Sequence, residues 1–203
     1  MTDTANTLDQ LNIVFQNLII GMLGYEATGS PEAYSPEAYS KVRISWPSGG
    51  APAWNSTEDK IFIRVTEDDD KINRQKDDRV WQEGSPIQLN LEHSYIRVIR
   101  LSLVLYGPNS WENVQLIRDQ MFYSTTHRLL YEAGLRLLTE IPSPIRGPEL
   151  FQGNWWERED IGFLFNERIL RNEEVGIIES AEITVYNEVG TVVPADVPPE
   201  EEE

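Results

Sequence analysis

Hydrophobic and polar positions alternate most regularly between residues 93 and 106. Ile99, Leu101, Leu103 and Leu105 share one parity, and Ile96, Val98, Arg100, Ser102, Val104 and Tyr106 share the other. Strand side chains point to opposite faces with period two, so this run predicts a strand with one apolar face. Gly107-Pro108 ends it, because proline brings no amide proton to a ladder and the pair favours a turn. The period then becomes helical: Trp111, Val114, Ile117 and Met121 form a stripe expected to lie back on the sheet. Asn109 is the expected N-cap, with Glu112 completing a capping box.

The same reading extends along the chain. Leu8, Leu11, Phe15, Leu18 and Met22 predict an amphipathic helix over 7–25, with Gly24 near its end. It is read first as a core-packing helix and second as a helix that docks on a neighbouring subunit. Ser-Pro-Glu-Ala-Tyr is written twice over 30–39, too short for a structural repeat and, with two prolines, expected as an extended surface loop. Val42, Ile44 and Trp46 predict a short strand before a turn at 47–50, and Ile61, Ile63 and Val65 another. Ile87, Leu89 and Leu91 continue the parity of the 93–106 strand. Unbroken, residues 87–106 would run about 65 Å against a usual ~20 Å, so a bend or bulge near 92–94 is expected, or an arm projecting beyond the sheet. Leu129, Leu130, Ala133 and Leu137 suggest a further helix, with Gly134 as a break. Three prolines hold 141–148 extended. Trp155 and Trp156 lead into alternating Ile161, Phe163 and Phe165, residues 172–174 are expected to turn, and 175–186 to carry the last strand. The Pro- and Glu-rich stretch from 190 reads as a mobile tail. The boundaries that follow are 1–28 for the helix, 29–40 for the loop, 41–190 for an α+β domain and 191–203 for the tail.

Composition narrows the chemistry. A chain of 203 residues, 40% hydrophobic, can bury roughly 70% of its unfolded surface without a metal or disulfide staple. It has no cysteine, which removes disulfides, thiolate metal sites and thiol catalysis. No apolar run approaches the roughly 20 residues that span a bilayer, and the first residues lack the basic region of a secretory signal. A formal charge of −17 repels phosphate and argues against gripping nucleic acid. The acidic run at 67–70 lacks the ligand spacing of a calcium loop and reads as solvated. Neither His93 nor His127 has metal or triad spacing, and no Gly-rich phosphate loop follows a strand. Glu157, Glu159, Asp160 and Glu167 could pair for glycoside chemistry, but alternation with Arg158 and Arg168 reads more simply as a solvated or inter-subunit strand face. No catalytic residue and no cofactor is expected.

The wording of 95–110 (Tyr-Ile-Arg-Val-Ile-Arg-Leu-Ser-Leu-Val-Leu-Tyr-Gly-Pro-Asn-Ser), the proline-rich 141–150, and 154–166 (Asn-Trp-Trp-Glu-Arg-Glu-Asp-Ile-Gly-Phe-Leu-Phe-Asn) together resemble the phage neck or tail-terminator family over roughly 41–189. The element order is also similar to that of lambda-type tail terminators. The resemblance implies an α+β fold, with a mainly antiparallel sheet of about four to six strands and two or three helices on one face. It further implies a structural, non-enzymatic virion protein: a homohexameric ring at the head-proximal end of the tail tube that ends polymerisation and joins the tail to the neck. The implied partners are further copies of itself, the tail-tube protein and a neck or connector protein, with a tail sheath as an added candidate. DNA would pass through without specific binding. A ring needs two different patches per subunit. Ile87, Leu89, Leu91 and Tyr95 on the arm, and Trp155, Trp156, Glu157, Arg158 and Arg168 on the late strand, are the expected contacts, taken to offer unpaired backbone edges. The competing readings are another phage structural protein (head–tail adaptor, tube or baseplate subunit) and a carboxylate-dependent hydrolase.

Overall fold

The computed structural model describes residues 4–26, 34–45, 54–83, 88–151, 153–175, 184–186 and 192–194. In chain order the elements are α1 (Leu8–Met22), α2 (Pro36–Lys41), β1 (Val42–Ile44), β2 (Lys60–Glu67), a 3-10 turn (Lys71–Arg74), β3 (Lys76–Glu83), β4 (Gln88–Tyr106), α3 (Ser110–Gln120), α4 (Ser124–Glu132), β5 (Leu135–Leu137), β6 (Ile145–Arg146), β7 (Glu149–Phe151), β8 (Asn154–Trp156), β9 (Arg158–Val175), β10 (Thr184–Tyr186) and β11 (Val192–Pro194). The α+β class is as expected. The main sheet has seven strands rather than four to six, in the order β1-β2-β4-β9-β5, with β3 added to β4 and β6 to β9. Only the β1–β2 pair in it is parallel.

Parity decides what is buried. Ile99, Leu101, Leu103 and Leu105 of β4, Ile61 and Ile63 of β2, and Ile161, Phe163 and Phe165 of β9 form one core with Phe15 and Ile19 of α1, Val114 and Ile117 of α3, and Leu130 of α4. The helices therefore cover one face of the sheet. Phe15 meets Phe165 at 4.8 Å between ring centroids. Thr7 closes the capping box of α1: its hydroxyl accepts from the Gln10 amide, while Gln10 Oε1 accepts from the Thr7 amide.

Several expectations give way to tertiary contacts. Asn109 stands at the N-cap of α3, but its side chain caps nothing. Its amide group donates to Asp59 Oδ2 at 2.8 Å and its backbone N–H to Asp59 Oδ1 at 3.0 Å, because a carboxylate is the stronger acceptor. Trp111 does not lie on the sheet and is 51% exposed, one position round from the buried Ser110–Val114–Ile117 stripe. Leu137 belongs to β5, because Gly134, at φ 76, ends the α4 region before it. The second Ser-Pro-Glu-Ala-Tyr copy is helical rather than extended: Ser35 Oγ accepts from the Ala38 amide, and Pro36 opens α2. The first copy, apart from Tyr34, lies outside the described residues, as do Ile87 and the turn at 47–50. Residues 172–174 do not turn, since β9 runs on to Val175. Within the expected tail, Val192–Pro194 pairs with Thr184–Tyr186.

β4 carries no bulge. It pairs with β9 from Leu89↔Val175 to Tyr106↔Arg158 without a slip. Its inner half pairs with β2 on the other side, and its outer half with β3, from Lys76↔Tyr95 to Glu83↔Gln88. The nineteen residues of β4 span about 60 Å. Its outer half, β3 and the end of β9 therefore make a three-stranded arm.

Candidate interaction surfaces

The arm carries the same parity as the core. On that face lie Asp78 and Val80 of β3, Leu91, His93 and Tyr95 of β4, and Arg171, Glu173 and Val175 of β9. Val80 is 60% exposed, Val175 is exposed, and Leu91 and Tyr95 are half-buried. Leu89 stands at a register position on this face, opposite Val175. The arm thus presents a side-chain surface, and the expected unpaired edges on residues 88–95 are corrected: that backbone is paired on both sides, because β9 is as long as β4. His93 sits mid-arm, its Nδ1 at 2.6 Å from Asp78 Oδ1 and its Nε2 at 3.6 Å from Glu173. The hydrogen bond to Asp78 raises its pKa, with the Asp78 and Glu173 charges adding to it.

The backbone of β9 is also largely paired on its far side. β6 meets Glu159 and Asp160, Leu138 donates to the Leu164 carbonyl, β5 covers 165–167, and Thr4 bridges to Leu170. Its carboxylates are not one solvated face, a further correction. Glu159 and Glu167 share the parity of Ile161 and are 1% and 2% exposed. Glu167 is satisfied: Arg97, directly opposite on β4, donates at 2.6 and 3.1 Å, and Asn6 donates through its backbone N–H and Nδ2. Arg97 in turn donates to the Asn6 carbonyl, so one buried ion pair ties the entry to α1 onto the sheet. Glu159 is less well served. Burial raises its pKa, Arg146 at 3.8 Å opposes that, and its Oε2 has no hydrogen-bond partner among the described residues. Arg168 is exposed, 3.9 Å from Glu92.

The other predicted residues meet at the opposite end of the sheet from the arm. β7 and β8 form a hairpin that leaves Trp155 70% exposed and turns Trp156 inward. Trp156 stands perpendicular to Trp54, with centroids 4.5 Å apart, and perpendicular to Tyr106 at 6.4 Å. Trp54 lies 5.0 Å from Tyr106, and Phe151 closes the rim 6.0 Å from Trp156. These rings, with Asn55, Ser56, Asn154 and Glu149, line a cleft of about 650 Å³. The Tyr106 hydroxyl donates to Glu149 Oε2 at 2.7 Å; burial first, and this bond second, push its pKa to about 12. Arg158 reaches the same oxygen at 3.1 Å while bound to Asp160 at 2.9 Å, which raises its own pKa. Glu157 is held by Arg146 at 2.8 Å. Sequence reading did not pair Trp54, Tyr106 and Glu149 with Trp156, since just over a hundred positions separate the first from the last.

No carboxylate pair converges in this cleft, where Glu149 is the one acid among the described lining residues. Glu159 and Glu167 stand eight residues apart on one strand, about 26 Å. No group of His, Asp and Glu able to hold a metal occurs among the described residues.

A family model described as phage neck terminator protein matches residues 9–189, from α1 through the last described strands but one. The chain belongs to the phage neck terminator family. That makes this terminator a structural component of the phage neck, with other head or tail proteins as its neighbours and the virion as its place. The match reaches back from the expected start at 41 to take in α1, which agrees with the packing of α1 into the core. A comparison with curated proteins returns no match. No described helix of the terminator is long and apolar enough to cross a membrane.

Proposed function

We propose that this chain is the tail terminator proper. Six copies form a ring on the head-proximal end of the tail tube, stop tube polymerisation and join the tail to a neck or connector protein. The observation that carries this reading is the arm. A three-stranded extension of the main sheet runs past the helices with Val80, Leu91 and Val175 on one face around the His93–Asp78–Glu173 group, a mixed apolar and charged surface that a neighbouring copy can cover. A closed ring needs two unlike patches on each subunit. The arm is one, and the β7–β8 end of the sheet, with exposed Trp155 and the Arg146–Glu157 pair, is the other. The charge of −17 supports an electronegative lumen that lets DNA pass without holding it.

The test is electron microscopy of intact particles with the chain labelled at a terminus. The expected result is a six-fold ring where the tube meets the neck. Density along the tube or in the baseplate would overturn the reading, and a basic channel wall would overturn the role given to the charge.

A further inference from the structure

We propose that the cleft between the β7–β8 hairpin and residues 54–56 is a socket for an arginine side chain of a partner neck or tail protein. Its walls are aromatic and mutually steep: Trp156 is 82° to Trp54 and 89° to Tyr106. The rings pack edge to face on one another, and the cluster already draws a cation, since the Arg158 guanidinium lies 5.9 Å from the Tyr106 ring centroid. A carboxylate stands among them. Glu149 Oε2 is occupied by Tyr106 and Arg158, which fixes the group, and its Oε1 is unengaged among the described residues. The surroundings are acidic as well. Glu58 and Asp59 follow the lining residue Ser56 in the chain, and the cations Lys60 and Arg158 are already held, Lys60 by Glu58 at 3.1 Å and Arg158 by Asp160 at 2.9 Å.

An anionic or neutral guest would forgo this field. A planar guanidinium can stack on Trp54 or Trp156 while donating to Glu149, which an ammonium cannot do as well. A cleft of about 650 Å³ exceeds one side chain, and Asn55, Ser56 and Asn154 at its walls can bond the flanking peptide. The proposal draws only on the neck membership of the chain. It does not require the ring.

The experiment uses the full chain and the capped peptide Ac-Gly-Arg-Gly-amide, followed through the indole N–H resonances of Trp54 and Trp156. The controls are the citrulline peptide, which keeps shape without charge, the lysine peptide, and Ac-Gly-Pro-Pro-Gly-amide. Both indole signals are expected to shift together and saturate with the arginine peptide, with the lysine peptide weaker. The citrulline peptide should bind about tenfold more weakly, the scale of a desolvated cation–π contact. Glu149→Gln should remove most of the preference for arginine over citrulline. Phe151→Ala, at the exposed rim, should weaken the arginine peptide without disturbing the fold, which keeps the test valid if the first variant unfolds. Equal binding of arginine and citrulline peptides, tighter binding of the proline peptide, or no localised shift would each overturn the proposal. None of these outcomes touches the position of the chain in the particle.

Discussion

Single residues show where a parity reading succeeds and where it needs a partner to be complete. Arg97 shares the face of Ile99, and Glu167 the face of Phe165, so both were legible as charges on the apolar side. That they face one another across β4 and β9 depends on the register of the two strands. Removing one member of a buried pair strands the other charge, so Arg97→Met should cost about 3 kcal/mol in urea unfolding. Arg97→Met with Glu167→Leu should cost less than the two single changes summed, because no charge is left unpaired. Glu159 makes the opposite case. Its raised folded pKa means that stability is full below the unfolded carboxylate value and is lost as pH rises through the folded one. Glu159→Gln should therefore raise the melting temperature at pH 7, and the gain should vanish as pH falls below the ordinary glutamate range. A Cβ at Gly107, where φ is 109, would stand 2.6 Å from the Glu58 carbonyl oxygen, so Gly107→Ala should destabilise by about 2 kcal/mol or more on the same urea scale.

Elements were most legible where one face meets the core. β4, β9, α1 and α3 follow from periods of two and of 3.6, because burial of one face selects that spacing. Caps and ends were less so. Asp59 drew the Asn109 side chain away from the expected cap of α3, and α4 with β5 replaced one longer helix, since the choice depends on groups distant in the chain. The arm is the element with a titratable tie. His93 is held by Asp78 and Glu173 with its pKa raised, so the protonated form stabilises the arm below the ordinary histidine value, and that contribution is lost as pH rises through the higher folded one. Hydrogen-exchange protection factors in 76–83 and 88–95 should fall as pH rises through that window. The fall should be absent in His93→Gln.

At the scale of the whole molecule, one long paired sheet ends in two surfaces, the arm and the aromatic hairpin. Val80→Glu with Leu91→Glu should leave the far-ultraviolet circular dichroism of the chain unchanged while abolishing assembly, seen as tails of uneven length in electron micrographs. Tails of uniform length would remove the arm from the assembly contact. The sequence by itself determined the core faces, the turn at Gly107-Pro108, the absence of cysteine chemistry, the acidity and, through the wording of 95–110 and 154–166, the family. Each of these is a local or compositional property, set by the period of burial or by residue type. Only the tertiary structure decided that β4 and β9 run the length of the arm together and that Glu167 meets Arg97. It alone brought Trp54, Tyr106 and Trp156 around Glu149. Those outcomes depend on register and on contacts between distant segments, which no local pattern encodes.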